Sequence, residues 1–276
     1  MLAEIAREIR TRFPERHIHL TIEDDDNSIR LFQFDETGAP RLYDAEWNDD
    51  WHHAVHVILT GEETGYYQDH VEDPIGRLAR TMAEGYDYQG EDSAFRGKKR
   101  GEPSAHLPPT VFINYIQNHD QTGNRAHGDR LESLASSEVV DAALTLLLLA
   151  PHIPMLFMGD EYGETRPFLF FTDFRGDLAK AVAKGRRADF GSHESYANAA
   201  GGKEIPNPNA SETFERSILA PADTPRRALV KQLLAARKAH VVPRMTSIGG
   251  HAGAVTARQG PAFAVRWALD DGNALE

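Results

Sequence analysis

The chain has 276 residues, 41% of them hydrophobic and 26% charged, which predicts a globular protein of one large domain or two small ones. Lys and Arg total 30 against 42 Asp and Glu, and the net charge of −12 makes nucleic acid and anionic membranes poor partners. No cysteine is present, which excludes disulfides, thiolate metal sites and cysteine nucleophiles and is compatible with a reducing cytoplasm.

The N-terminal segment and the longest apolar stretch argue against export and membrane insertion. Glu4 and Glu8 interrupt residues 1–13, which therefore lack the apolar core of a signal peptide. The stretch 139–150 contains Asp141 and is shorter than the ~20 residues that span a bilayer. We therefore expect a cytoplasmic protein with no membrane partner.

Strand and helix signals alternate along most of the chain. The predicted elements of the first half are a helix from residue 2 to before Pro14, strands at 17–22 and 41–47, helices at 51–60 and 74–85, and a surface loop at 87–110. Those of the second half are a strand at 111–117, a helix at 138–150, a strand at 154–158, an irregular region at 159–215, a helix at 224–240 and a final strand at 263–269. This order predicts βαβ units with a parallel sheet. The final strand is expected to have only one proper hairpin arm, at Asp271-Gly272.

Acidic residues follow three of the predicted strands, at Glu23, Asp120 and Asp160-Glu161. The segment 112–121 is the clearest case, because an apolar run ends in Asn-His-Asp-Gln. In a parallel barrel the chemistry lies at the carboxyl ends of the strands. Glycosidic bond cleavage needs one carboxylic acid to protonate the leaving oxygen and a second carboxylate at the anomeric centre, and an apolar strand end raises the pKa of a glutamate towards the acid role. The simpler alternative is a helix cap or a solvated turn.

Two clusters could hold a metal ion, but neither fits a known pattern. The acidic run 23–27 departs from a calcium-binding EF-hand loop, because Ile29 stands where that loop needs glycine. His52, His53 and His56 lie at helical spacing, but the glutamate of the zinc-protease motif is missing. We therefore expect no metal, and the histidines are predicted to be core residues or a pocket wall.

Four segments resemble the malto-oligosyltrehalose trehalohydrolase family, within the α-amylase superfamily of glycoside hydrolases. They are 43–53, 117–125, 156–164 and 168–174. The Asn-His-Asp element is typical of the superfamily as a whole. The glutamine after it and the Trp-Asn-Asp-Asp-Trp-His-His run indicate the trehalohydrolase branch.

The resemblance implies an α/β fold, the C-terminal half of a (β/α)8 TIM barrel followed by the start of a C-terminal β domain. Residues 1–243 would form the barrel portion, and residues 244–276 the first strands of a β-sandwich. In this superfamily the nucleophile is an aspartate at the end of the fourth barrel strand, which would lie before residue 1. A half-barrel exposes two sheet edges, so we expect the chain alone to be inactive and to aggregate or dimerise readily.

The resemblance also implies roles for individual residues. Glu23 would be the general acid/base, and Asp120 the carboxylate that stabilises the oxocarbenium-like transition state. His119 would hydrogen-bond the sugar, and Gln121 and Asp50 would make further substrate contacts. The implied reaction hydrolyses, with retention, the α-1,4-glucosidic bond next to the terminal trehalose of a malto-oligosaccharide substrate. No cofactor is implied.

Two alternatives remain open. The first is another α-amylase-superfamily activity, such as branching or debranching. The second is a non-catalytic remnant that binds malto-oligosaccharides without turnover. A protein built around the His52, His53 and His56 cluster as a metal site is a remote third.

The purified 276-residue chain is expected to release no trehalose from a maltooligosyl-trehalose, because the covalent route lacks its nucleophile. Product chromatography beside a Glu23→Gln control checks this. Release that disappears in the control would show that the chain holds a complete site.

Overall fold

The computed structural model describes residues 1–191 and 204–276. Its α-helices are α1 Leu2–Arg12, α2 Asp49–Thr60, α3 Pro74–Glu84, α4 His119–Gly123, α5 Leu131–Leu134, α6 Ser137–Leu149, α7 Gly176–Gly191, α8 Ser211–Arg216 and α9 Pro225–Ala236. Its strands are β1 Thr21–Ile22, β2 Ala45–Trp47, β3 Glu91–Ser93, β4 Lys98–Arg100, β5 Phe112–Asn114, β6 Ile153–Pro154, β7 Gly253–Gln259, β8 Ala262–Ala268 and β9 Ala274–Leu275. Short 3-10 helices occupy Gly65–His70, Pro109–Val111 and Val242–Ser247, and a π-helical turn occupies Arg237–Val241.

The described residues form two compact units. The first comprises Met1–Tyr115, Thr145–Met155 and Leu233–Glu276. The second comprises Ile116–Leu144 and Leu156–Gln232. All the strands lie in the first unit, whereas the described residues of the second form helices and connecting segments. None of the helices in the described ranges is both long and apolar enough to cross a membrane.

The first unit contains a four-stranded parallel sheet in the order β1-β2-β5-β6. Thr21 pairs with Ala45, and Ile113 with Ile153, each in parallel register. The α/β class and the parallel sheet are therefore confirmed. The strands span only two or three residues, fewer than predicted, because an apolar pattern does not separate residues that pair in the ladder from those that continue into loops.

The residues that cap α2 and α3 are those that the sequence predicts. The Asn48 side chain accepts a hydrogen bond from the amide of Trp51 at 3.3 Å, which caps the start of α2. Gly61 ends this helix with φ of +70°, a conformation that glycine adopts without steric cost. Asp73 caps α3 through the amide of Gly76 at 3.2 Å. These residues fix where α2 begins and ends and where α3 begins.

The C-terminal strand is not solitary, which corrects the expectation of a hairpin with one proper arm. β8 lies between β7 and β9 in an antiparallel sheet. Strand β7 was not predicted, because its residues are mostly exposed and lack apolar alternation. The Trp267 indole donates to the carbonyl oxygen of Met82 at 3.1 Å, which joins this sheet to α3 within the first unit. The predicted boundary between residues 243 and 244 stays a prediction.

Four further elements lie where the sequence predicted a loop or an irregular region. The strands β3 and β4 form a hairpin within the predicted loop 87–110, and their Glu-Asp-Ser and Lys-Lys-Arg sequences carry no apolar alternation. The helices α7 and α8 lie within the region 159–215 that was predicted to be irregular. Part of that region, 192–203, lies outside the described residues.

Strand β2 carries a buried glutamate, Glu46, between the apolar neighbours Ile22 and Phe112. Its side chain is fully buried, and neither carboxyl oxygen has a hydrogen-bond partner of good geometry among the described residues. Burial raises the pKa of Glu46 to about 9, against the opposing effect of the Tyr86 hydroxyl. This carboxyl is therefore protonated at neutral pH.

The substitution Glu46→Gln is expected to raise the free energy of unfolding at pH 8, because a neutral amide replaces a carboxyl that the fold keeps protonated. The unfolded-state pKa is about 4.3, so the unfolded chain loses this proton first and stability falls as the pH rises from there towards the folded-state value of about 9. The gain at pH 8 should exceed the gain at pH 5 by about 4 kcal/mol. Urea unfolding at both pH values measures it, with the exposed Glu63→Gln as control. Equal effects of the two variants would contradict the assignment.

Candidate active site

The carboxyl ends of neighbouring strands in the first unit carry polar side chains. Glu23 directly follows β1 and is exposed, and Asn48 and Asp49 directly follow β2. The Asn48 amide donates to the side-chain oxygen of Asn114 at 3.1 Å, which ties the end of β2 to the end of β5. The Tyr115 hydroxyl donates to the Asp49 carboxylate. Glu23 and Asp49 therefore lie at the same edge of the parallel sheet.

Asp49 is a candidate that the sequence analysis missed. Burial raises its pKa to about 6, the Tyr115 hydrogen bond and Arg100 oppose the shift, and the negative charges of Asp50 and Glu23 add to it. A carboxyl that titrates near neutral pH at a strand end is suited to proton transfer. The only signal in the sequence was its place in the Asn-Asp-Asp run, which also predicts a helix cap.

Asp50 does not fit the predicted role of a substrate contact. Its side chain is fully buried. One carboxylate oxygen accepts from the Asn27 amide at 2.7 Å and from the backbone amides of Asp87 and Tyr88 at 2.9 Å each. The other oxygen is paired with the Arg100 guanidinium. A substrate cannot reach a carboxylate that is buried and hydrogen-bonded in this way. Asp50 instead links α2 to Asn27, to the backbone at Asp87 and Tyr88, and to Arg100.

The pKa of Asp50 reflects this enclosure. Burial alone would raise it, but the Arg100 charge, the interaction with His70 and the amide of Tyr88 together hold the pKa well below its usual range. Asp49 and Asp50 are adjacent in sequence and have opposite pKa shifts, since only Asp50 is enclosed by donors.

In the second unit, the Asn-His-Asp-Gln element begins helix α4. The Asn118 side chain accepts from the amides of Asp120 and Gln121 at 2.9 and 3.0 Å and caps the helix. His119 is exposed, and Asp120 and Gln121 are half-buried. Asp120 also accepts from the Asn124 side chain. The cap thus holds three predicted site residues together, while the pairing of Glu23, in the first unit, with Asp120 stays a prediction.

The third predicted strand-end acid, Asp160, has a structural role. It is fully buried and accepts from the Gln117 side chain at 2.7 Å and from the amide of Phe157 at 2.9 Å. Burial, together with the charge of Glu132, raises its pKa to about 8. Its neighbour Glu161 accepts from the amide of Gly159 at 3.0 Å. The predicted convergence of three open carboxylates is therefore wrong for Asp160, because it is buried and hydrogen-bonded to Gln117 and to the amide of Phe157.

The three histidines of α2 do not share one site. His52 lies 3.3 Å from the Tyr67 hydroxyl, and His56 lies 2.8 Å from the Glu62 carboxylate. His53 instead groups with Asp50 and His70. Within the described ranges, two other groups could offer three metal ligands, the exposed or half-exposed sets His17, His19, Asp44 and Asp24, Asp25, Asp26.

The chain matches known proteins, although no family model matches it. It is 46% identical over 149 residues to the malto-oligosyltrehalose trehalohydrolase of Saccharolobus solfataricus, covering 54% of this chain and 26% of that protein. It is 38% identical over 239 residues to the protein of the same name from Brevibacterium helvolum, covering 83% of this chain and 39% of that protein.

Among solved structures, a Salmonella typhimurium protein described as an α-amylase candidate matches with a TM-score of 0.92 and 47% identity, covering 98% of this chain and 46% of that chain. The chain is a relative of the malto-oligosyltrehalose trehalohydrolases. The resemblance inferred from the four sequence segments is confirmed, and with it the α-amylase superfamily and the glycoside hydrolase class.

This trehalohydrolase relative spans only part of the proteins it matches. The matched share is 26% of the Saccharolobus protein, 33% of the Rhizobium sp. protein and 39% of the Brevibacterium protein. The activity of the complete relatives is therefore a proposal for this chain.

The substitution Asp50→Asn is expected to lower the free energy of unfolding at pH 7 by about 3–5 kcal/mol, because Arg100 stays buried without its anionic partner. The pKa of Asp50 is depressed on folding, so its stabilisation is present above the unfolded-state value of about 3.9 and is lost as the pH falls through the folded-state value. Urea unfolding at pH 7 and pH 3 measures the difference.

The matched control for this prediction is Asp49→Asn, at the adjacent position. The pKa of Asp49 is raised to about 6, so the sign reverses, and removing this carboxyl should slightly stabilise the chain above pH 6. Equal losses in the two variants would contradict the contrast between the two aspartates.

Proposed function

We propose that the chain carries part of the active site of a glycoside hydrolase that cleaves the α-1,4-glucosidic bond adjacent to the terminal trehalose of a maltooligosyl-trehalose, releasing trehalose with retention. The observation that supports this proposal most is the match to several trehalohydrolases at 36–46% identity, covering up to 83% of the chain.

In this proposal the four parallel strands of the first unit are the last four of a (β/α)8 barrel, and β7 to β9 begin a C-terminal β domain. The spatial order β1-β2-β5-β6 follows chain order, as in a barrel. A retaining reaction also needs a nucleophilic carboxylate about 5–5.5 Å from the general acid. We assign that role to no residue of this chain.

Glu23 is proposed as the general acid/base. It is exposed at the end of β1, where a leaving-group oxygen can reach it. Asp49 is proposed to support it from the end of β2. Burial is the main cause that raises the pKa of Asp49 to about 6, and the charges of Asp50 and Glu23 add to it, so Asp49 holds a proton at pH values where an isolated aspartate is ionised.

Asp120 is proposed to stabilise the positive charge that develops at the anomeric carbon, and His119 and Gln121 to bind sugar hydroxyls. The Asn118 cap fixes the start of α4, so the three side chains are held on a rigid turn. The half-buried position of Asp120 strengthens its electrostatic effect on a nearby cation, since less water screens it.

A chimera tests the proposal without depending on the chain alone. The matching 239-residue segment of the Brevibacterium relative is replaced by that of this chain, and trehalose release from maltotriosyl-trehalose is measured. Glu23→Gln should lower kcat/KM by about 10²–10⁴-fold, the range of a lost general acid, mostly through kcat. Asp120→Asn should lower it comparably, and the exposed Glu36→Gln should not change it.

An active chimera in which Glu23→Gln has no effect would refute the assigned role. Turnover of a branched glucan or pullulan in place of maltotriosyl-trehalose would support a branching or debranching activity. Calorimetric binding of maltotriosyl-trehalose by a folded chimera without any product would support the non-catalytic alternative.

A further inference from the structure

A second polar cluster lies inside the first unit. It consists of Asp50, His53 and His70, and we call it the Asp-His-His cluster. Asp50 and His53 lie one turn apart on α2, and His70 ends the 3-10 helix Gly65–His70. One possible ligand atom from each residue lies within 4.8 Å of those of the other two. The relative exposures are 0%, 7% and 1%, so the cluster is closed to bulk solvent.

Three ring nitrogens of the histidines in this cluster lack a hydrogen-bond partner among the described residues. Neither ring nitrogen of His70 has a hydrogen-bond partner among the described residues, and the same holds for Nδ1 of His53. Buried polar groups in native proteins are nearly always paired with protein, water or an ion. Two adjacent buried imidazoles with vacant nitrogens therefore point to a bound group that is not part of the polypeptide.

The spacing of the cluster favours a metal ion over a direct hydrogen bond. The His70 Nε2 atom lies 3.5 Å from a carboxylate oxygen of Asp50, well beyond the usual 2.9–3.0 Å of an N–H···O bond. Two ligands of a tetrahedral zinc ion at about 2.0–2.1 Å are separated by roughly 3.3–3.5 Å. The same nitrogen lies 3.7 Å from a carboxylate oxygen of Asp87, which is also too long for a good hydrogen bond.

We propose that Asp50, His53 and His70 bind one zinc-sized divalent transition metal ion, with a water molecule as the fourth ligand. Imidazole nitrogens with carboxylate oxygens are the donor set that zinc prefers in proteins without cysteine ligands. The set differs from the three histidines predicted from helical spacing, since His52 and His56 have other neighbours.

Charged groups around the cluster both favour and oppose a bound cation. Burial is the main cause that holds the pKa of His53 well below its usual range. The guanidiniums of Arg100 and Arg77 oppose a cation, but each is already paired, with Asp50 and Asp87 respectively. The Asn27 amide on the second oxygen of Asp50 fixes the orientation of the carboxylate, as an outer-shell partner does.

Metal analysis of the full 276-residue chain tests this proposal. The chain is dialysed against a chelator and then against zinc chloride, and bound zinc is counted by plasma mass spectrometry. One ion per chain is expected, with a dissociation constant of about 10 µM or tighter and a higher melting temperature when bound. His53→Ala and His70→Ala should each weaken binding by about 10–100-fold.

Two controls separate this cluster from other histidines. His56→Ala changes a buried histidine of the same helix that lies outside the cluster. The double variant His17→Ala/His19→Ala removes the exposed histidine group. Zinc bound with equal affinity by all four variants, lost only from the double variant, or bound by none of the proteins would overturn the proposal.

Folding of each variant is checked by circular dichroism. Where an alanine variant fails to fold, His70→Gln replaces it, and the cobalt(II) spectrum of the unaltered chain supplies a second readout. Intense visible bands of a four-coordinate site are expected. A spectrum that matches hydrated cobalt would overturn the proposal, whatever the variants do.

Discussion

The buried carboxylate of Asp50 is the interaction on which the first unit depends. It lies in the first turn of α2 and collects donors from three distant segments, the loop after β1 through Asn27, the backbone after α3, and strand β4 through Arg100. Arg100 also donates to the backbone oxygen of Asp25 at 2.6 Å and to the side chain of Asn27 at 3.1 Å. A buried ion pair costs desolvation, and it persists here because further hydrogen bonds complete the carboxylate and the guanidinium.

This network has a consequence for the strand ends. Several donors hold the Asp50 carboxylate in the first turn of α2, and the Tyr115 hydroxyl donates to Asp49 in the same turn, at the edge of the sheet. The two aspartates have almost the same sequence context but different solvation. One is an ionised part of the scaffold and the other titrates near neutral pH. The environment, and not the residue type, assigns each its task.

In the second unit, a different arginine, Arg226, joins separate helices through carboxylates. The Arg226 guanidinium joins Glu132 and Asp141, each at 2.6 Å, and so connects α9 to α5 and α6. Arg186 donates to the backbone oxygens of Gly123 and Arg125 at 2.9 and 2.7 Å, which anchors the end of α4. The turn that presents His119 and Asp120 is therefore braced at its start by the Asn118 cap and at its end by an arginine from α7.

Features that depend on a local pattern could be read from the sequence. Apolar spacing and caps predicted α1, α2, α3, α6 and α9, including the start of α2 at Asn48, but not α4, α5, α7 or α8. The quoted segments were enough to indicate the trehalohydrolase relatives. Hydropathy missed β7, β3 and β4, because exposed or charged strands carry no apolar alternation. Three properties became visible only in the folded chain. Hydrogen-bond donors surround Asp50, Asp49 has a pKa of about 6, and the rings of His53 and His70 lie side by side. These properties depend on burial and on partners far along the chain, such as Arg100, and no local pattern encodes either.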